Sequence, residues 1–333
     1  MSTTDAAPPL STPLVVGVDL GGTKMAAALV TADGALAGPL ASAPTPARSG
    51  PEAVLDAIAS VVDTVVSAGT HQAHGAPVAV SAVGVGSAGV VNVSTGTIVS
   101  ATDAITGWTG TSVATGVRSR LIAQGYGDMP VHVENDVDAY AGGEAWLGAG
   151  RDASSVLVVA VGTGVGGSVV INGTTVRGAH YVAGEIGHVP APGAENEMCT
   201  CGRRGHLEAI AAGPQIHRRY LAAGGDPEVA NAFEVEQRAD AGDPIASLVY
   251  RDSAIALGKV LAGVVAVLDP ERVVLSGGLA RAGELWWAPL RETFRAELID
   301  PLADVPLVRA ELGTNAPIIG AARGALRLLG ATA

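Results

Sequence analysis

Two glycine-rich turns constrain this chain more than any other feature of its sequence. The first, DLGGTK at residues 19–24, joins the apolar runs LVVGV and MAAALV; the second, GTGVGG at 162–167, joins SSVLVVAV and SVVING. Clustered backbone N–H groups without side chains in the way are what an anionic phosphate needs from a loop. A Walker loop or a dinucleotide fingerprint runs from a strand into a helix, whose N-terminus holds the phosphate. Both turns here run from strand to strand, and the first lacks the G-x-x-x-x-G-K-[ST] spacing, so neither architecture fits. The second strand pair ends in the hairpin dipeptide Asn172-Gly173 and repeats the plan of the first at an interval of about 140 residues. That interval is too long for a solenoid and suits two related α/β domains.

Helical periodicity fills the intervals. PEAVLDAIASVVDTVVSAG, DVDAYAGGEAWLG, DPIASLVYRDSAIALGKVLAGVVAVLD and APIIGAARGALRLLG each place apolar residues at i, i+3 and i+4. VAVSAVGVGSAGVV, PVHVEN and ERVVLSGG are short β-branched runs bounded by turn residues, so strands and helices alternate and the class is α/β. The chain has 333 residues, 48% of them hydrophobic and 16% charged, which is enough for one large or two medium cores. No apolar run reaches the ~18 residues of a bilayer span. The opening MSTTDAAPPLSTP has neither the basic start nor the apolar middle of a secretory leader, so a cytoplasmic protein with a disordered tail over 1–13 is expected. A net charge of -12 argues against a nucleic-acid surface, which needs concentrated Lys and Arg.

The only two cysteines, Cys199 and Cys201, are one residue apart and bracketed by His188 and His206. Residues this close rarely reach disulfide geometry without strain, and a reducing compartment disfavours the bond, so a metal is the better candidate. Zn²⁺ takes four N/S ligands in a tetrahedron, and these residues supply two of each. In VENDVDAY, Asp136 is the candidate base for deprotonating an alcohol, and Asn135 both donates and accepts hydrogen bonds. The competing reading is that either residue merely caps the helix that follows.

Taken together and in this order, DLGGTK, VENDVDAY, GTGVGG, GEIGH and CTCGRRGHLEA resemble the ROK family of bacterial sugar kinases and repressors, over nearly all of residues 14–330. The resemblance implies two ribonuclease-H-like, actin-like ATPase domains flanking a central cleft that closes on sugar. It places the first domain at 14–134, with the C-terminal helix near 317–333 packing back on it, and the second at 135–316 with a zinc-binding insert at 184–209. It implies that Asn135 and Asp136 bind the sugar and that Asp136 deprotonates its hydroxyl. Asp19 would help hold the Mg²⁺ of ATP through water. Gly21, Gly22 and Thr23, with Thr163 and Gly164, would cradle the β- and γ-phosphates; Lys24 is either added charge or a solvated strand residue. Gly277 and Gly278 in SGGLARAG resemble the adenosine-binding turn.

Relatives use Glu185, His188 and Glu208 on sugar hydroxyls, so a structural Zn²⁺ held by His188, Cys199, Cys201 and His206 would act as scaffolding for the pocket. The family signature has a third cysteine where this chain has His206. Glucose-phosphorylating relatives usually have an Asn in the loop entering the sugar site, where this chain has Asp103 in SATDAITGWTG. The resemblance therefore implies an ATP-dependent hexose kinase, glucose first, with N-acetylglucosamine or N-acetylmannosamine as alternative acceptors. A sugar-sensing protein without catalysis is a further alternative. ROK repressors carry a winged helix ahead of this body, and the short Pro/Ser/Thr-rich segment before the first strand leads us to expect no DNA reader. Family members are often homo-oligomers, dimers or tetramers.

Overall fold

The computed structural model describes residues 13–72 and 79–331; apart from Pro13, the expected tail lies outside the described residues. The chain divides into two compact units, one made of residues up to Tyr140 together with those from Pro317 onward, the other of Ala141–Ala316. The division falls inside a helix rather than ahead of it at residue 135.

Unit 1 opens with three antiparallel strands, β1 (Leu14–Leu20), β2 (Lys24–Val30) and β3 (Ala41–Pro44). Then come α1 (Pro51–Gln72), β4 (Val80–Ser87), a small ribbon of β5 (Val90–Asn92) and β6 (Thr97–Ser100), α2 (Val113–Ala123), β7 (Val131–Asn135) and α3 (Asp136–Leu147). The sheet order is β3-β2-β1-β4-β7, with β1, β4 and β7 parallel. Val15, Val16, Val18 and Leu20 are all fully buried, as a strand covered on both faces requires. The stretch VAVSAVGVGSAGVV, read above as one run, breaks into β4 and β5 at Gly89, whose φ of 99° turns the chain.

Unit 2 repeats this topology. Its strands are β8 (Ser155–Val161), β9 (Val165–Ile171), β10 (Thr174–Thr175), β11 (Arg272–Ser276) and β12 (Leu307–Arg309), in the order β10-β9-β8-β11-β12, with β8, β11 and β12 parallel. Between β10 and β11 lie α4 (Glu208–Ala211), α5 (Gly213–Ala222), α6 (Ala232–Asp240) and α7 (Pro244–Leu268); α8 (Glu284–Glu297) precedes β12, and α9 (Ala316–Leu328) ends the fold. The core of unit 2 includes Tyr220, Phe294, Trp286 and Trp287, the last two packed edge to face with centroids 5.7 Å apart. Both buried indoles find acceptors, Trp286 at Ser253 Oγ and Trp287 at the Ala280 carbonyl, each at 3.1 Å. No helix among the described residues is long and apolar enough to cross a membrane.

Two local devices set the framework. In unit 1, Gly17 and Gly84 pair across β1 and β4, and α9 runs so close that a Cβ on either would collide with the carbonyl oxygen of Ile318 or Ala321. The final helix thus meets the sheet at backbone contact. In unit 2, Glu144 of α3 is fully buried and ties distant backbone together. Its Oε2 accepts from the amides of Ala149 at 2.9 Å and Glu311 at 3.1 Å, and its Oε1 from Leu312 at 2.8 Å.

Candidate active site and metal loop

The residues expected to do chemistry fall into two sets, one in each unit. In unit 1, Asp19 lies near the C-terminal end of β1 and Asp136 begins α3 directly after β7. Ligand sites in parallel sheets collect at these carboxyl ends. Asn135 does cap α3: its Oδ1 accepts from the amides of Val137 at 2.9 Å and Asp138 at 3.2 Å, while its Nδ2 donates to the Gly89 carbonyl at 2.9 Å. Capping and a site role are compatible, because the cap fixes the side chain and leaves one amide hydrogen to donate. Asp136 is half-buried, and its Oδ1 accepts from Val137 N–H at 2.9 Å. Burial, then the neighbouring charge of Asp19, pushes its carboxyl up to about 7. Burial also raises Asp19 to about 6, against the opposing pull of Lys24.

The first glycine turn is closed by Gly21 N–H donating to the Lys24 carbonyl at 3.1 Å, and Thr45 Oγ1 donates to the Gly21 carbonyl at 2.7 Å. Thr23 and Lys24 are exposed, so their polar groups are open to a ligand. A Cβ on Gly22 would lie 3.3 Å from that of Ala104, so the loop bearing the exposed Asp103 adjoins this turn. Below that loop Trp108 is buried, its indole donating to Ser87 Oγ at 3.2 Å.

In unit 2, Gly162 N–H donates to the Gly164 carbonyl at 2.9 Å and closes the second turn. Gly162, Thr163 and Gly278 line one cavity of about 690 Å³, so the second glycine turn and the turn expected to take adenosine share a wall. Gly277 permits this, since its φ is 87° and a Cβ would strike the backbone of Val161. The same cavity is lined by Arg281, within the SGGLARAG motif, and by His217, Phe233, Glu236 and Tyr250, which no motif singled out. One signal existed: Phe233 is one of only two phenylalanines in the chain, and it stands 66% exposed on a helix whose buried face is carried by Val235 and Ala239.

Glu208 opens α4 and has both carboxylate oxygens engaged. Oε2 accepts from Val165 N–H at 3.0 Å, and Oε1 accepts from Thr200 Oγ1. Glu185 is half exposed, 3.7 Å from His188 Nε2. The other imidazole nitrogen of His188 points to Cys199 Sγ at 3.6 Å, and Cys201 Sγ lies 3.2 Å from His206 Nδ1. One ligand atom from each of these four residues falls within 4.8 Å of every other. A tetrahedral zinc with bonds of roughly 2.0–2.3 Å has ligand–ligand edges of about 3.3–3.8 Å. The His188–Cys199 and Cys201–His206 pairs, at 3.6 and 3.2 Å, are close to such edges, and the four side chains suit such an ion once the wider pairs draw in, with His206 in the place of a thiolate.

Residues 15–327 match the model of the ROK family. The chain belongs to the ROK family. It is 33% identical over 328 residues to a glucokinase of Streptomyces coelicolor, covering 93% of this chain and 96% of that one. Among solved structures, a ROK hexokinase from Thermus thermophilus superposes with a TM-score of 0.82 at 34% identity, covering 95% of this chain and 99% of that one. A ROK glucokinase from Streptomyces griseus in complex with glucose and AMPPNP superposes with a TM-score of 0.73 at 30% identity, covering 93% and 98%. The duplicated β-order described above is thus the ROK fold, with actin-like ATPase architecture in each unit.

Proposed function

We propose that this ROK protein is an ATP-dependent hexose kinase that transfers the γ-phosphate of Mg-ATP to a sugar hydroxyl, with glucose, at its 6-hydroxyl, as the first acceptor to test. The observation that carries the reading is Asp136, a carboxylate fixed at the start of α3 and tuned to about 7 beside Asp19. A base with that value is ready at neutral pH to take the hydroxyl proton as the sugar oxygen attacks phosphorus and ADP leaves. Asn135 holds a sugar hydroxyl with its remaining amide hydrogen, and Glu185, His188 and Glu208 orient others. Asp103 is the residue that sets which hexose is preferred. The amides and hydroxyls of Gly21, Gly22, Thr23, Thr163 and Gly164 bind the phosphates, Lys24 adds positive charge, and Asp19 holds hydrated Mg²⁺. A Mg²⁺ held there would supply positive charge to the leaving phosphate oxygens. Gly277 and Gly278 let the adenosine approach the backbone.

The test is purified protein with Mg-ATP and a panel of glucose, mannose, N-acetylglucosamine and N-acetylmannosamine. ADP release with glucose is expected; sugar binding without ADP release from any hexose would eliminate the kinase reading.

The proposal includes a structural Zn²⁺ at His188, Cys199, Cys201 and His206, whose role is to cross-link the loop that carries Glu185 and Glu208. It also includes a homo-oligomer. On unit 2, Ile171, Val182, Val264, Val267 and Leu268 line an apolar groove of about 710 Å³, and Val267 is 84% exposed. Gly263, mid-helix in α7, has nothing within 4 Å of where a Cβ would sit, so no packing inside the chain calls for a glycine that costs about 1 kcal/mol against alanine. A second copy seated there accounts for both features. Val267→Glu is expected to yield monomers in sedimentation velocity while the parent sediments as a dimer or larger; a monomeric parent would refute the assembly.

A further inference from the structure

Glu208 joins two parts of unit 2 that are remote in sequence. Its Oε2 receives the amide of Val165, 43 residues away, the first residue of β9 and next to Thr163 and Gly164 in the second turn. Its Oε1 receives the hydroxyl of Thr200, which sits between the two cysteines of the metal loop, and Cys199 Sγ lies 3.8 Å from that oxygen. The fit at the turn is close: a Cβ on Gly164 would come within 2.9 Å of Glu208 Oε2. A carboxylate beside a turn that binds phosphate opposes the ligand electrostatically. Its presence there therefore calls for a geometric reason, and the two-ended bond supplies one. Where Thr200 points depends on how Cys199 and Cys201 are held, and where Glu208 points depends on Thr200.

We propose that Glu208 is a positioning residue that couples metal occupancy of the Cys199–Cys201 loop to nucleotide affinity at the Thr163–Gly164 turn. The inference rests on the zinc and ATP readings above. With the loop cross-linked, Thr200 holds Glu208, Glu208 holds the Val165 amide, and the turn keeps the conformation that presents its remaining N–H groups to phosphate. With the loop open, that chain of hydrogen bonds is lost. Coupling of this kind is reciprocal, so Mg-ATP must raise metal affinity by the same factor that metal raises nucleotide affinity.

The test uses the full chain, with zinc content measured by elemental analysis and Mg-ATP Kd measured by calorimetry without sugar, before and after chelation. Chelation is expected to raise the Kd about 10-fold in the parent, within the usual range of allosteric coupling. In Thr200→Val, which cuts the link on the loop side and keeps the charge, chelation changes the Kd less than about 2-fold. Glu208→Ala starts with a Kd raised about 10-fold and is insensitive to metal, whereas Glu208→Gln, whose amide can still bridge both partners, stays near the parent. If Glu208 acted only through its charge, Ala and Gln would both tighten ATP binding, and the inference would be overturned. Equal chelation effects in all four proteins would overturn it too. Should chelation unfold the chain, hydrogen exchange of the Val165 amide decides: about 10-fold faster exchange in metal-loaded Thr200→Val supports the link, and unchanged exchange sinks it. A protein purified without zinc would remove the metal reading and this inference with it, and one that fails to bind ATP would remove the kinase reading itself.

Discussion

Replacing Asp136 with Asn is expected to lower the rate of phosphoryl transfer to glucose by about 10²–10⁴-fold, the usual contribution of a general base, and at the same time to make the protein more stable above pH 7. The first effect follows because the amide cannot take the hydroxyl proton, although it keeps the acceptor oxygen that Val137 N–H uses. The second follows from linkage. The carboxyl of Asp136 titrates near 7 in the folded protein against 3.8 for a free aspartate, so the folded state keeps a proton that the unfolded chain releases. Stability therefore falls as pH rises from about 4 to about 7, and the full penalty is present above 7. The amide of the Asp136→Asn variant carries no charge, and Asp19 loses the repulsion of its neighbour. The gain is expected to be about 2 kcal/mol at pH 8 and to vanish near pH 4. Paired denaturant titrations at the two pH values measure it; equal stabilities at pH 8 would show that Asp136 is not strained by its surroundings. The kcat/KM of the parent should correspondingly lose about tenfold per pH unit below 7.

Glu144→Ala should cost about 3–5 kcal/mol, the range for stripping a buried charge from its partners. Three amide groups, those of Ala149, Glu311 and Leu312, depend on this one carboxylate, and it is fully buried. Alanine leaves all three donors without an acceptor, at about 1–3 kcal/mol for each that water cannot reach. Glu144→Gln keeps one acceptor oxygen and is expected to cost less, although its NH₂ group then faces an amide donor. Unfolding followed through Trp286 and Trp287 of unit 2 reports the loss; a change under about 1 kcal/mol would mean that water reaches these amides after all.

The parts of this molecule that were legible in its sequence are those whose physics is local. Both glycine turns could be read as strand-to-strand because short apolar runs flank them on each side, and the duplicated sheet order follows the same two segments. The four candidate zinc ligands were legible because two are separated by a single residue and the others bracket them within one loop. Helices α2, α4, α5, α6 and α8 were not anticipated. In α6 the segment AFEVEQRAD is largely polar, and α8 contains Pro289, a residue that argues against a helix interior. The bonds of Glu208 to Val165 and of Glu144 to Leu312 join residues 43 and 168 apart, and no local periodicity encodes such pairs. Asn135 shows the opposite ambiguity: cap and site residue looked like rival readings, yet one amide side chain caps α3 and remains able to donate.

The contact of α9 with Gly17 and Gly84 bears on how the protein is made. A ribosome delivers the chain from its N-terminus, so the sheet of unit 1 emerges before unit 2 but lacks the helix that covers those glycines until the residues from Pro317 onward have been made. Unit 2, by contrast, is one uninterrupted segment and can finish folding while synthesis continues. The half of the molecule translated first is thus the half completed last, and a nascent chain halted before Pro317 should expose an apolar sheet face that invites chaperones.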